Sequence, residues 1–225
     1  MPSVTGFRRF LPPALVAVGL AGAAAFTLSF PPIEGLGTKV RLPVFHGAMT
    51  WVNLSSFVVL ALVAIVYLVT GRDAVYRWAE GFRWMSVPLW VLGSALGLLA
   101  ALQTWDFTGS KSSPMSVIAA DPRLMAQAWI MLAGLSLIAL GFLVEERRWL
   151  ATADVVFVGI AWAVLMRAIL GPGRALHPDS PVLNSDELII KVLFLGIVAS
   201  LAVSAIAAAW WIRSVREGAG ETLAG

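Results

Sequence analysis

Cysteine is absent from the 225 residues. That excludes disulfides, iron–sulfur clusters, zinc–thiolate sites, a cysteine nucleophile and any c-type heme tethered through thiols of this chain. Charge is scarce. Only 13% of residues are Asp, Glu, Lys or Arg, where a soluble globular domain carries about 25%. Hydrophobic residues make up 59% of the chain, and mean hydropathy is +0.85. This balance excludes an ordinary water-soluble protein, a disordered chain and a collagen-like one. There is no G-x-x-x-x-G-K-[ST] loop to hold a nucleotide, and no spacing that supports a Ser-His-Asp arrangement. Internal repeats and low-complexity tracts are lacking. So are the short alternating segments of a membrane β-barrel.

What is present is a series of long apolar runs separated by short charged patches. The runs extend over about Pro12–Phe30, Gly47–Thr70, Met85–Thr104, Leu124–Val144, Leu150–Leu170 and Leu188–Ile212. Each can span a hydrocarbon core of ~30 Å at 1.5 Å per residue. Lipid offers the backbone no hydrogen-bond partners, so each run must satisfy its own amides as a helix. The reading is an all-α polytopic membrane protein, a single six-helix domain with no room for a soluble one. The first run, with Arg8-Arg9 before it and Ala23-Ala24-Ala25 within it, resembles a signal peptide. Its apolar core is longer than usual and continues through Phe30, so a retained helix is expected.

The excess of basic residues reads as a topology signal rather than a nucleic-acid footprint. Nine flank the termini and the second and fourth loops: Arg8, Arg9, Arg72, Arg77, Arg83, Arg147, Arg148, Arg213 and Arg216. Five lie in the other loops: Lys39, Arg41, Lys111, Arg123 and Arg174. Both termini are therefore expected in the cytoplasm, with three longer loops outside.

Both histidines fall on that outer side. His46 lies where the first outer loop enters the second helix, and His177 lies in the last outer loop. A pair of neutral imidazoles is the usual six-coordinate cradle for heme iron, but interfacial histidines are also common as polar headgroup-level residues. Thr50 and Asn53 share the helix face of His46, with Ser56 continuing the stripe. For Asn53 and Ser56, interhelical hydrogen bonding is the expectation. Trp51, at a similar depth, suits an aromatic belt or a porphyrin wall. The middle outer loop carries Trp105-Asp106 and then Asp121-Pro122-Arg123-Leu124. Asp121 and Pro122 read as an N-cap followed by proline at the first helical position. Arg123, a cation near the positive end of a helix dipole, is better placed if it meets an anion. Glu187 and Lys191, four apart at the start of the sixth helix, are expected as an interfacial pair.

The layout resembles the cytochrome c assembly family of heme-handling membrane proteins, and within it the six-helix heme exporter protein C type. The matching stretches are His46-Gly47-Ala48-Met49-Thr50-Trp51, the Asp121-Pro122-Arg123-Leu124 segment before the fourth span, and His177 before the sixth. The resemblance covers nearly the whole chain in helix number and loop order. It implies that His46 and His177 ligate a non-covalent heme b from the outer side, with Arg123 near a propionate, Asp121 among the cofactor-binding residues, and Trp51 and Trp105 about the porphyrin. It also implies transfer of heme to a chaperone or ligation partner within an exporter complex, in a bacterial or archaeal cell membrane, with no bond chemistry on a substrate. The family's tryptophan platform is missing, since Val117, Ile118, Ala119 and Ala120 stand before Asp121. Two alternatives follow. One is a heme-free structural or assembly subunit of a membrane complex. The other is a heme b electron-transfer subunit working with quinone.

Overall fold

A computed structural model describes residues 4–108, 110–171, 182 and 185–223. The regular elements are helical: α1 (Val4–Leu28), α2 (Arg41–Thr70), α3 (Asp73–Thr104), the short α4 (Pro114–Ala119), α5 (Pro122–Leu143), α6 (Arg147–Leu170) and α7 (Leu188–Leu223). Among the described residues, six helices, all but α4, are long and apolar enough to cross a membrane. The chain is an all-α polytopic membrane protein. With six spans, its two ends lie on the same face.

Two helices begin well before their apolar runs. α2 starts at Arg41 rather than Gly47, because Pro43 falls in its first turn, where a missing amide costs nothing. α3 starts at Asp73 rather than Met85. Its first three turns carry Arg77, Glu80 and Arg83, which lower mean hydropathy without opposing a helix. The expected second loop thus shrinks to Gly71 and Arg72. Gly71 takes φ +67°, the left-handed conformation that ends a helix without a Cβ penalty, and its amide donates to the Tyr67 carbonyl at 2.7 Å.

This tight turn makes α2 and α3 a hairpin at the centre of the molecule. The α1–α7 pair packs on one side of it and the α5–α6 pair on the other. Phe57 on α2 stands between Trp90 on α3 (centroids 5.5 Å) and Phe157 on α6 (5.0 Å, edge to face). α1 lies close on α7 because Gly19 and Gly22 face Ser200 and Ser204. A Cβ on Gly19 would come within 2.6 Å of the Ser200 carbonyl oxygen. The Ser204 hydroxyl donates to the Val16 carbonyl at 3.0 Å. Among the described residues, no Cα of α1 comes within 8 Å of a Cα of α3.

On the face that carries the termini, polar side chains bind the helix ends together. Arg147 pairs with Asp73 at 2.7 Å, and Arg216 pairs with Glu80. Arg213 and Arg216 lie 4.8 and 4.6 Å from the rings of Trp78 and Trp84. Deeper in the bundle, Arg83 and Asp154 form a fully buried bidentate pair, with both N–O distances at 2.6 Å.

Candidate functional site

Starting α2 at Arg41 carries His46 into the second turn of a helix. Its ring is buried between α2, α3 and α5 instead of sitting in a loop mouth. Nδ1 lies 3.0 Å from the Gly93 carbonyl oxygen. A carbonyl only accepts, so Nδ1 carries the proton and Nε2 is the basic nitrogen. The ring rests along α3 from Gly93 to Gly97, a small-xxx-small notch. A Cβ at position 97 would stand 2.6 Å from Cε1 and 2.9 Å from Nε2 of His46, and 3.2 Å from Oε1 of Gln127 on α5.

Beside the ring is a polar void of about 10 Å³, lined by His46, Met49, Thr50, Asn53, Trp90, Gly93, Ser94 and Gln127. That is room for about one water. The Ser94 hydroxyl and Gln127 Oε1 are buried without a hydrogen-bond partner among the described residues. Trp90 Nε1 donates to the Gln127 carbonyl at 3.1 Å, tying α3 to α5. Two helical turns along α2 from His46, the Asn53 amide braces α3. With its nitrogen toward the Ser86 carbonyl (3.0 Å) and its oxygen toward the Trp90 amide (2.8 Å), both of its ends are paired. Asn53 thus bonds between helices as expected. Ser56 does not: its hydroxyl turns back to the Val52 carbonyl of its own helix at 2.8 Å, as that of Thr50 does to His46 at 2.9 Å.

Trp51, 58% exposed, faces away from the bundle and does not wall the void at His46, an orientation compatible with an aromatic belt. Asp121 is fully buried and caps α5, its Oδ1 accepting from the amides of Arg123 (2.8 Å) and Leu124 (3.2 Å), with Pro122 at the first helical position. Arg123 is half-buried, and its Nε has no hydrogen-bond partner among the described residues. It lies four residues before Gln127, hence on the same face of α5 and about 6 Å nearer the helix end. Trp105 is half-buried just past α3 and pairs with Phe107 at 6.4 Å. The next residue, Asp106, accepts from the Thr108 hydroxyl (2.6 Å) and amide (2.9 Å), and these bonds hold its carboxyl below the usual aspartate range. Trp51, Trp105, Asp121 and Arg123 do not line the void at His46. His177 lies outside the described residues. Glu187 and Lys191 are both exposed, and no ion pair joins them.

Heme requires two things here, and they come out differently. The donor chemistry fits: a buried imidazole is held through Nδ1 by a backbone carbonyl, which leaves Nε2 as the nitrogen a metal would use. The space does not fit. Gly97 and Gln127 lie against the Nε2 edge, and the adjoining void is far too small for a porphyrin. In this packing a heme reaches Nε2 only if Gly97 and Gln127 move away from it.

Sequence reasoning passed over Gly93, Gly97, Ser94 and Gln127. Their signal was the four-residue spacing of the two glycines and a lone glutamine in an apolar run. It also placed Arg83 in a loop. The cue there was Asp154, a carboxylate two turns into a span, which requires a partner.

A comparison with protein-family models finds no match to this chain, and a comparison with curated proteins finds none.

Proposed function

We propose that this chain is a cytochrome c assembly protein that handles heme at the membrane face opposite its termini and passes it to a chaperone or ligation partner. His46 and His177 are the proposed iron ligands, and Arg123 the proposed partner of a propionate. The observation that carries this reading is the hydrogen bond from His46 Nδ1 to the Gly93 carbonyl. Metal-bound histidines almost always donate their second ring nitrogen in this way, which fixes the tautomer and ring orientation. Arg123 adds support, as a cation with an unpartnered buried Nε one turn outward from Gln127. The reading requires the outer ends of α3 and α5 to part from His46 when heme enters.

A second reading is favoured by the same packing. If the Gly93–Gly97 notch stays closed on the ring, His46 is a structural tie between α2 and α3. The chain is then a heme-free assembly subunit of a membrane complex. The quinone-linked heme b reading has less support. It calls for paired histidines within the helices, and the described helices contain His46 alone.

Ultraviolet–visible spectra of the purified protein, His46→Ala, His177→Ala and the double variant, after equal heme loading, separate these readings. A heme-handling protein gives a six-coordinate spectrum that each single variant shifts and the double variant reduces to nonspecific uptake. Four indistinguishable spectra, or no uptake by the parent protein, establish the heme-free reading.

A further inference from the structure

Between α1, α2, α3 and α7 lies a second cavity of about 360 Å³. Its floor includes Met49 and Val52 of α2 and Leu201 and Ala205 of α7, and its walls include Leu20 of α1 and Leu92 of α3. The one polar lining group, the Ser204 hydroxyl, is already donated to the Val16 carbonyl. The other lining residues are apolar, and the cavity's chemistry is close to that of hydrocarbon.

We infer that this cavity binds one acyl chain of an anionic phospholipid, with the headgroup phosphate at Arg213. Four observations support this, and none depends on whether the chain handles heme. First, protein interiors are close-packed, and an apolar void of about 150 Å³ already takes up a benzene-sized guest. A larger apolar void at membrane depth fills with the surrounding hydrocarbon. Second, the entrance is lateral. Among the described residues no Cα of α1 comes within 8 Å of one of α3, and two lining residues on these helices, Leu20 and Leu92, are half exposed. Third, the shape is elongated along the helices, as an acyl chain requires. The lining on α7 runs from Leu201 to Ile212, about 16 Å along the axis at 1.5 Å per residue.

The fourth observation is charge. One residue beyond Ile212, at the end nearest the termini, Arg213 packs its Cβ beside Gly81, and its guanidinium lies 4.8 Å from the Trp78 ring. A tail in the cavity places its phosphate at the level of this cation. Arginine is well suited to phosphate.

The test uses the full chain in phosphatidylglycerol vesicles containing a small fraction of the same lipid with a photoactivatable diazirine on its acyl chain. Adducts are mapped by peptide mass spectrometry. Val52 and Leu201 are each 5% exposed, so bulk lipid does not reach them, whereas Leu62 and Leu132 on the outer surface report bulk lipid. The parent protein should give adducts at all four. Ala205→Phe, which fills the cavity, should lose those at Val52 and Leu201 and keep those at Leu62 and Leu132. Ala208→Leu is the milder filling if Ala205→Phe does not fold. Arg213→Gln should lower the cavity adducts several-fold with the phosphatidylglycerol probe, and leave them unchanged with a phosphatidylcholine probe. Adducts confined to the outer surface, or cavity adducts indifferent to filling, overturn the acyl-chain site. So does crosslinking of the cavity walls to a second copy of this chain. Equal response of the two probes to Arg213→Gln overturns the headgroup assignment.

Discussion

Arg83 and Asp154 depend on each other inside the bundle. Their exposures are 1% and 0%, and each charge is tolerable only because the other faces it. Asp154→Ala would leave a buried guanidinium unpaired, a loss of about 3–5 kcal/mol. A double change to Arg83→Met with Asp154→Leu removes both charges and should cost much less, since buried pairs are often replaceable by apolar residues of similar volume. Thermal unfolding in detergent of the two single variants and the double variant should show this ordering. Equal loss in all three would mean the pair acts by something other than mutual compensation. Gly97 is a second such position. Gly97→Ala puts a methyl 2.6 Å from Cε1 of His46, a distance no packed structure keeps. The ring must tilt off Gly93, and the reach of Nε2 should change with it. If heme loading by the parent protein is measurable, this variant should alter it while protein yield stays near normal.

At the scale of elements, helix entries and close approaches set the register of the bundle. α5 starts where it does because Asp121 accepts two of its first amides. Asp121→Ala should cost about 1 kcal/mol, and Asp121→Asn much less, read from the midpoint of thermal unfolding. A larger loss would show that the buried carboxylate does more than cap. The α1–α7 contact depends on Gly19, where any side chain meets the Ser200 carbonyl and the Ser204 hydroxyl. Gly19→Val should push α1 off α7. A cysteine pair placed across that contact, in a chain with no cysteine of its own, should crosslink in the parent background and fail with Gly19→Val. Crosslinking that persists would mean α1 tolerates a wider spacing.

For the whole molecule, an even number of spans puts both ends on one face, and the distribution of Arg and Lys is the ground for expecting that face in the cytoplasm. The bias is weaker than loop counting suggests, because Arg83 is not a loop residue but half of a buried pair. Reporter fusions after Ser110 and Asp179 should report the outside and a fusion after Gly225 the inside. The opposite result would reverse the orientation and move the His46 face to the cytoplasm.

Much of this was legible from the residues in order. Span number and helical class follow from run length, since lipid leaves the backbone no other partner. The Asp121–Pro122 entry follows from cap chemistry within three residues. Both are local, and local physics is written along the chain. The helix starts at Arg41 and Asp73 were not legible, because mean hydropathy marks apolar content and not where hydrogen bonding begins. The candidate site was half legible. His46 stood out by type, but its burial on the Gly93–Gly97 notch depends on the rotation of α2 about its axis relative to α3. That rotation is set by packing between faces 47 residues apart. The same holds for Arg83 with Asp154 and for the cavity between α1, α2, α3 and α7. A run of apolar residues determines that a helix crosses the membrane. Which of its faces meets which neighbour is decided only when all six are packed together.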